Sequence, residues 1–325
     1  MTSSRVASSL LLRTAAVFTG AALLTGCAAG GPAAAAGTPH VGPSAQAASA
    51  TAGGARADRD DPATEGTNLA AVTRLFSAAF ADPDSAEAQA AAAVSVAKDA
   101  VTHGGNAEAG PAGLLAQFAA AHKSVPGAQV VIKHTAADGD LVAVHYQITA
   151  DPDDERTGLA AADVFRLSGG KIVERWAFEQ PVAQGKAASG NTNSMFSDLY
   201  KPATPSPAPT ETQEEKNRVF AVDAYDTLFK DRDVSILDRA FDPNYLQHNP
   251  VAPNGTAALK QFFGGGASFP PTASTVSLAD GDLVWTLSQA VGATSDDPYA
   301  ALDIFRVDGG LIREHWDVVP AATAG

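Results

Sequence analysis

Residues 303–318, DIFRVDGGLIREHWDV, contain two runs of alternating apolar and polar residues around a central DGG. Such alternation predicts two half-buried β-strands, and the glycines predict a tight turn between them. An earlier stretch, DVFRLSGGKIVERW at residues 163–176, aligns with it without a gap. The hexapeptide ADGDLV also occurs twice, at residues 137–142 and 279–284. We infer the duplication of a unit of about 110 residues, which is long enough to fold alone.

The second unit begins with helices and ends with strands. Apolar residues at helical spacing predict three helices, over residues 214–230, 234–241 and 256–263. Runs bounded by Gly, Asp or Pro predict four strands, over residues 275–278, 283–290, 299–307 and 311–319. This order predicts an α+β domain in which helices cover one face of a curved, mostly antiparallel sheet.

The 325 residues exceed one ordinary domain. Two segments that offer little apolar surface divide the chain, one before the first unit and one between the two units. The second of these segments contains four prolines between residues 202 and 209, which favour an extended, semi-rigid linker. The predicted organisation is a signal peptide (1–26), an Ala/Gly/Pro tether (27–64), a first domain (65–183), a Pro-rich linker (184–213) and a second domain (214–320).

The leader contains Arg5 and Arg13, then an apolar stretch too short to span a membrane, and ends in Leu24-Thr25-Gly26-Cys27. It resembles a bacterial lipobox. The resemblance implies that lipid is attached to Cys27, that the new amino terminus is acylated by a chain such as palmitate, and that the lipoprotein is anchored outside the cell membrane. An ordinary secretory signal is the alternative. Cys27 is the only cysteine, so no internal disulfide can form.

Charge excludes one class of partner. The chain has 36 acidic and 22 basic residues, a net charge of −14, and no Lys/Arg-rich run. Binding to a phosphate backbone is therefore not expected. We find neither tight metal-ligand spacing nor a phosphate-cradling glycine loop, so we expect no metal and no cofactor.

Four segments of the second unit occur in a specific order: YLQHNP at 245–250, ADGDLV at 279–284, DIFR at 303–306 and EHWDV at 314–318. Together they resemble the SnoaL-like branch of the nuclear transport factor 2-like superfamily. The first unit resembles it more distantly, because THGG at 102–105 stands where the second has QHNP. The resemblance implies two tandem cone-shaped domains, each a bent sheet wrapped around helices with an interior pocket. Relatives include polyketide cyclases, ketosteroid isomerases and proteins with no known reaction, so the fold alone does not fix the function.

The turn length decides which side chains reach that pocket. A three-residue turn, Asp308-Gly309-Gly310, is expected and would place Asp303 opposite His315. A two-residue turn would exchange the faces. With the three-residue turn, the predicted interior face holds Asp303, Phe305, His315 and Asp317. The predicted outer face holds Ile304, Arg306, Ile312, Glu314, Trp316 and Val318.

The candidate catalytic residues are Asp303, His248, His315 and Asp317, and the candidate ligand-pocket residues are Phe305, Asn249 and Tyr245. Asp303 resembles the ketosteroid isomerase carboxyl that donates a hydrogen bond to an enolate oxygen. The histidines could exchange a proton near neutral pH, with Asp317 orienting one of them or acting as base. Such a set suits enolisation, aldol-type cyclisation or hydration of a small apolar carbonyl compound.

Structural roles are the alternatives at two of these positions. His248 could cap the turn before Pro250, and Asp303 could pair with Arg306 or with a backbone amide. Under the rival register, His315 and Asp317 would face solvent.

The two units differ at the candidate site. Where the second has His315 and Asp317, the first has Arg175 and Ala177. We therefore expect the first unit to be a partner or regulator and not a second copy of an enzyme.

Sheets of this superfamily often dimerise through their outer faces. The resemblance thus implies an intramolecular pseudo-dimer with Trp176 and Trp316 at the joint. Alternatively, each tryptophan fills the core of its own domain.

Two functions remain open. One is a lipid-anchored protein whose second domain binds a small apolar molecule and performs cyclase- or isomerase-type acid–base chemistry. The other is a non-catalytic ligand-binding or protein-interaction lipoprotein that uses both domains as a scaffold.

Overall fold

The computed structural model describes residues 61–104, 108–185, 187, 189–204, 207–265 and 270–320. Cys27, the leader and nearly all of the predicted tether lie outside the described residues. Within the described ranges, no helix is both long and apolar enough to cross a membrane.

The first domain alternates helices with a five-stranded sheet. Its elements are α1 (Pro62–Ala79), α2 (Ala86–Ser95), β1 (Val96–His103), α3 (Gly110–Ser124), β2 (Gln129–Asp138), β3 (Leu141–Thr149), β4 (Leu159–Ser168) and β5 (Lys171–Pro181). Asp61 caps α1, since its carboxylate accepts a hydrogen bond from the Ala63 backbone N–H at 3.3 Å. The helix thus begins three residues inside the segment that composition assigned to the tether.

The second domain repeats this order. Its elements are α4 (Glu211–Tyr225) with a π-helical turn (Asp226–Lys230), a 3₁₀ turn (Val234–Ile236), α5 (Leu237–Ala240), β6 (Phe241–Gln247), α6 (Thr256–Gly264), β7 (Thr272–Asp280), β8 (Leu283–Ala290), β9 (Tyr299–Asp308) and β10 (Leu311–Val318). The three helical regions and four strands that periodicity predicted are all present. Strand β7 is longer than predicted, and β6 was not predicted.

Both sheets have the same topology. The strand orders are β1-β5-β4-β3-β2 and β6-β10-β9-β8-β7. Strand β1 runs parallel to β5, and β6 runs parallel to β10. All other neighbouring strands are antiparallel. The predicted α+β class, with two tandem domains built on mostly antiparallel sheets, is confirmed.

The turn between β9 and β10 differs from the prediction. Leu311 pairs with Asp308, so the turn consists of Gly309 and Gly310 alone, with φ of +59° and +74°. Two successive residues at positive φ suit glycine and give a turn whose twist matches the strands. The predicted three-residue turn is therefore wrong, and Asp303 is not opposite His315.

A β-bulge corrects the face assignment. The pairing shifts between Ile312 and Glu314, after which Asp303 lies opposite Asp317 and His315 opposite Phe305. One extra residue reverses the alternation, so the bulge offsets the shorter turn. The four residues predicted to share the interior face do share it.

Ile312 is the exception to the predicted outer face. It precedes the bulge, lies opposite Val307, and packs with Val307 and Phe305 in the interior cluster. The first domain has the same irregularity, because the pairing shifts between Ile172 and Glu174. The bulge is thus part of the duplicated unit.

The buried apolar residues form three clusters. One fills the first domain between its helices and sheet, around Phe76 and Phe165. A second fills the second domain around Tyr225 and Phe305. The third contains residues of both sheets, including Trp176, Trp285 and Trp316 at 2%, 0% and 0% exposure. The outer faces of the two sheets therefore share one core.

The duplicated ADGDLV hexapeptides contact each other. The Ala137 N–H donates to Asp280 Oδ2 at 2.9 Å, and the Ala279 N–H donates to Asp138 Oδ2 at 2.9 Å. Residues at equivalent positions exchange equivalent bonds, as expected around a two-fold axis. These carboxylates, at the ends of β2 and β7, thus satisfy backbone donors of the other domain.

Part of the predicted linker is packed against both domains. Phe196 is 2% exposed within the shared core, and the Trp316 indole N–H donates to the Ser197 carbonyl at 3.1 Å. The Asn191 side-chain amide donates to the Gln247 carbonyl at 2.7 Å. Residues 191–197 are therefore a structural element of the joint.

Candidate functional site

Three titratable side chains meet inside the second domain. Asp303 on β9 and His315 and Asp317 on β10 are 4%, 4% and 7% exposed. Strand alternation beyond the bulge turns all three toward the helices. The Nε2 atom of His315 lies 3.0 Å from Asp303 Oδ1, and the Phe305 ring stacks on the imidazole with centroids 4.7 Å apart.

Each of the two carboxyl groups has one oxygen that no described residue bonds. Asp317 Oδ2 accepts a hydrogen bond from the Asn249 side-chain amide at 2.6 Å, but no group among the described residues bonds Asp317 Oδ1. Asp303 Oδ2 is likewise buried, and no group among the residues that the structure describes bonds it. Buried oxygens without donors are costly, so each oxygen favours a proton of its own or a donor supplied by a ligand.

Burial raises the pKa of the Asp317 carboxyl from its ordinary value of 3.8 to about 6. Burial is the largest cause of this net rise in pKa, and the nearby Asp303 carboxylate contributes to it, whereas His315 and the Asn249 amide oppose it. A carboxyl that titrates close to neutral pH can both take up and release a proton there.

The same three residues could supply metal ligands. One ligand atom from each of Asp303, His315 and Asp317 lies within 4.8 Å of the others. Two carboxylates and an imidazole are compatible with a divalent ion. The distance of 3.0 Å between His315 Nε2 and Asp303 Oδ1 is also that of an ordinary hydrogen bond, which needs no metal. The expectation that no metal is used stays a prediction.

Strand β6 brings the remaining candidates to the site. Tyr245 is buried, and its ring lies 6.3 Å from that of His315. Asn249 follows the strand and bonds Asp317, as described above. Two contributing residues were not predicted: Gln247, whose Oε1 lies 2.9 Å from His315 Nδ1, and Tyr225, whose ring contacts Phe305 at 6.4 Å.

Strand periodicity could have found Gln247. Positions 245 and 247 of an extended strand share one face, and position 248 faces the other way. The sequence interpretation instead placed Tyr245 and His248 at one site, although they are three residues apart.

The structure does not bring His248 to the candidate site. Its Nε2 lies 2.8 Å from Glu314 Oε1, its Nδ1–H donates to the Ser194 carbonyl, and its ring stacks on Trp316 at 4.8 Å. Glu314 and Trp316 are on the outer face of β10. His248 therefore lies at the joint, and its predicted proton exchange with His315 is not supported by the geometry.

The first domain contains the same arrangement. His103 Nε2 lies 2.9 Å from Glu174 Oε1, and its ring stacks on Trp176 at 5.4 Å. Arg166 bonds Glu174 just as Arg306 bonds Glu314, at 3.1 and 3.2 Å. A set repeated in both outer faces indicates a structural role for His248.

Arg306 does not pair with Asp303, so that alternative is wrong. The Arg306 guanidinium bonds Glu314, Asp282 and Asp198 on the outer side of the sheet. Asp303 and Arg306, three positions apart on β9, thus face opposite sides of the sheet, and Asp303 lies in the interior.

A buried ion pair occupies the equivalent place in the first domain. Arg175 donates to both oxygens of Asp163, at 3.1 and 3.0 Å, and the Tyr146 hydroxyl donates to Asp163 Oδ2 at 2.8 Å. Gln117 accepts a further bond from Arg175. Asp163 is therefore fully partnered, unlike Asp303.

A surface cleft of about 510 Å³ lies in the first domain and contains none of the predicted site residues. It is lined by Asp61, Thr64, Asn68, Gly139, Asp140, Leu167, Gly169 and Gly170.

Sequence comparison identifies the family. The SnoaL-like domain matches residues 72–175 and again residues 222–315, which together make up more than half of the chain. The chain therefore belongs to the SnoaL-like domain family and contains two copies of the domain. A search among curated proteins found no match to this chain.

Solved structures of similar proteins align with about a third of the chain. A candidate SnoaL-like polyketide cyclase from a Jannaschia species is 21% identical, with a TM-score of 0.31, and covers 37% of this chain and 90% of its own. A candidate SnoaL-like isomerase from Agrobacterium tumefaciens is 19% identical, with a TM-score of 0.31, and covers 35% and 98%. A nuclear transport factor 2-like protein of unknown function from Mesorhizobium loti is 19% identical, with a TM-score of 0.29, and covers 37% and 95%. At this similarity the alignments carry no information on activity.

Proposed function

We propose that the second domain binds a small apolar carbonyl compound and transfers protons to and from it, in chemistry of the cyclase or isomerase type. The observation that supports this most directly is the pair of free, buried oxygens on Asp303 and Asp317 beside His315. Apolar surroundings with a few convergent polar groups are typical of small-molecule sites.

The geometry suggests a division of labour. Asp317, ionised in part near neutral pH, would remove a proton from the carbon next to the carbonyl group. The Asp303–His315 pair would donate a proton to the carbonyl oxygen, giving an enol, and the reverse steps would return both protons. An aldol-type cyclisation would use the same enol as its nucleophile.

Deuterium exchange tests this proposal, and it does not require the natural substrate to be identified first. The full-length chain is incubated in D₂O with a panel of small apolar ketones and diketones, and loss of the α-proton signals is followed by NMR. We expect catalysed exchange that Asp303→Asn lowers by about 10²-fold or more, because one proton-transfer group is lost. Asp297→Asn, on an exposed loop, is the control. Exchange that is equal in all three proteins would contradict the proposal, and loss of activity with EDTA would indicate a metal instead.

The non-catalytic alternative has specific support in the first domain. There, the place equivalent to the candidate site is occupied by the Asp163–Arg175–Tyr146 network, in which each carboxylate oxygen already has a donor. We propose that this domain acts as a scaffold for the second. Native mass spectrometry of the intact protein tests ligand occupancy, and one bound small molecule per chain is expected.

We also propose that the two domains form a stable pseudo-dimer in solution, supported by the shared core and the reciprocal Ala137–Asp280 and Ala279–Asp138 bonds. Trp316→Ala should loosen the joint and change the small-angle scattering profile. An unchanged profile would favour two independently packed domains.

The location of the protein is a further proposal. Lipid on Cys27 would hold the domains at the outer side of the cell membrane, with the residues before the first helix as a tether. Cys27→Ser should move the protein from the detergent-rich to the aqueous phase in detergent phase separation. Equal partition of both proteins would exclude the lipid anchor.

A further inference from the structure

His315 has a polar neighbour on each ring nitrogen. Its Nδ1 lies 2.9 Å from Gln247 Oε1, and its Nε2 lies 3.0 Å from Asp303 Oδ1. Neutral imidazole has one N–H, so it can donate at only one of these contacts. Which nitrogen holds the hydrogen decides whether His315 can accept a proton from Asp303.

The orientation of the Gln247 amide answers this question. The Asn249 backbone N–H, which can only donate, points at Gln247 Oε1 at 2.9 Å. This atom must therefore be the carbonyl oxygen, because the NH₂ end would place two donors face to face. An oxygen has no hydrogen to give, so the hydrogen in the contact with His315 belongs to Nδ1.

We propose that Gln247 is a positioning residue that holds the hydrogen of neutral His315 on Nδ1. Nε2 then remains the basic nitrogen, and one proton is shared between Nε2 and Asp303 Oδ1. The significance for catalysis rests on the proposed function, but the tautomer itself does not.

The first domain supports this assignment. Gln247 pairs with His315 across β6 and β10, and Thr102 pairs with Arg175 at the equivalent place. An arginine side chain has donors only and no tautomer to select. A glutamine therefore stands at this position in the domain where the paired residue is a histidine, and a threonine stands there in the domain where it is an arginine.

The tautomer can be measured directly by NMR of the full-length chain with ¹⁵N-labelled histidine, between pH 5 and 9. The chain has seven histidines, and a His315→Gln variant identifies the signals of His315. We expect the neutral ring to be protonated on Nδ1 in the wild type. Signals of a neutral ring that holds its hydrogen on Nε2 would overturn the proposal.

Three variants separate positioning from packing. Gln247→Leu removes the acceptor and should shift His315 toward the Nε2–H form, which donates to Asp303. Gln247→Glu keeps an acceptor for both N–H groups and should retain the Nδ1–H form. Gln289→Leu is the matched control, because Gln289 is equally buried but bonds the backbone of a loop, at Thr294 and Asp297. Gln247→Leu with an unchanged Nδ1–H tautomer would overturn the proposal.

The test of the His315 tautomer does not depend on the proposed reaction. If deuterium exchange is absent but Gln247→Leu moves the hydrogen to Nε2, the proposed function fails and this inference stands. If exchange occurs, Gln247→Leu should lower kcat by about 10²-fold with little change in KM, and Gln247→Glu should restore most of it. Equal rates for Gln247→Leu and wild type would overturn the positioning role.

Discussion

Each domain has an aspartate at the same place in its interior, Asp163 on β4 and Asp303 on the equivalent strand β9. The surroundings of the two aspartates differ. Asp163 is held by Arg175 and Tyr146, whereas Asp303 contacts His315 and has one oxygen that no group in the described part of the chain bonds. A duplicated unit thus produced one interior whose carboxylate is fully paired and another whose carboxylates are not.

Two substitutions account for most of this difference. Tyr146 pairs with Ala161 across the sheet, and Ser288 pairs with Ala301, so tyrosine in one domain stands where serine stands in the other. Arg175 likewise corresponds to His315. The second domain lacks two long donors that the first domain has, and it contains a second acid at Asp317, where the first domain has Ala177. A paired carboxylate stabilises a fold, while an unpaired one is available for chemistry.

The largest expected effect concerns the paired interior. Asp163→Asn leaves the buried Arg175 guanidinium without a counter-charge and should lower the free energy of unfolding by about 3–5 kcal/mol. Asp303→Asn, the matched change in the second domain, should cost about 1 kcal/mol or less, since only one bond is altered. Urea denaturation at pH 7 measures both. Similar losses would show that the two interiors are energetically alike.

A smaller, pH-dependent effect is expected at Asp317. Its pKa is higher in the folded chain, at about 6, than the ordinary value of 3.8, so the folded state binds this proton more tightly. The contribution of Asp317 to stability therefore falls as pH rises from about 4 to about 6, and the loss persists above that range. Asp317→Asn should be more stable than wild type by about 3 kcal/mol at pH 8, and this difference should shrink to less than about 1 kcal/mol at pH 4.

Denaturant unfolding of wild type and Asp317→Asn across this pH range measures the difference. A gap that is the same at pH 4 and pH 8 would show that the carboxyl titrates as an ordinary aspartate.

The smallest effect is expected when one interior is converted into the other. The triple variant Ser288→Tyr, His315→Arg, Asp317→Ala places the residues of the first domain around Asp303. Its stability should stay within about 1 kcal/mol of wild type, because a paired ion replaces an unpaired cluster at considerable desolvation cost. The catalysed deuterium exchange should disappear, and so should the change in the free energy of unfolding between pH 4 and pH 6. Retained exchange would place the chemistry elsewhere in the chain.

Periodicity and turn residues predicted the fold well. The helices and most strands of the second domain lie within a few residues of the predicted ranges, because each follows from local alternation and breakers. The hairpin register could not be predicted, since Gly309-Gly310 fits turns of two or three residues. The interior placement of Asp303 and Asp317 agrees with the sequence interpretation only because a bulge, which leaves no clear mark in sequence, offset the error in turn length.

The site was predicted in part. The site residues on β9 and β10 were assigned to the correct face, although Ile312 of β10 was not. His248 was wrongly grouped with these site residues because histidine is a common catalytic residue. Its real partners, Glu314 and Trp316, were already visible as a repeated set in the first domain. The contribution of the linker to the joint could not be predicted, because Pro, Asn and Ser composition gives no information on tertiary contacts.

The shared core also has a consequence for synthesis of the chain. Trp316 and Val318, on β10, complete a cluster whose other wall belongs to the first domain. While the ribosome is still making the second domain, the residues of the first domain in this cluster are exposed to solvent. Four of its members are alanines, at positions 136, 143, 160 and 162. Small side chains expose little apolar area each, so these four positions add little to the apolar surface that the nascent first domain exposes before its partner is made.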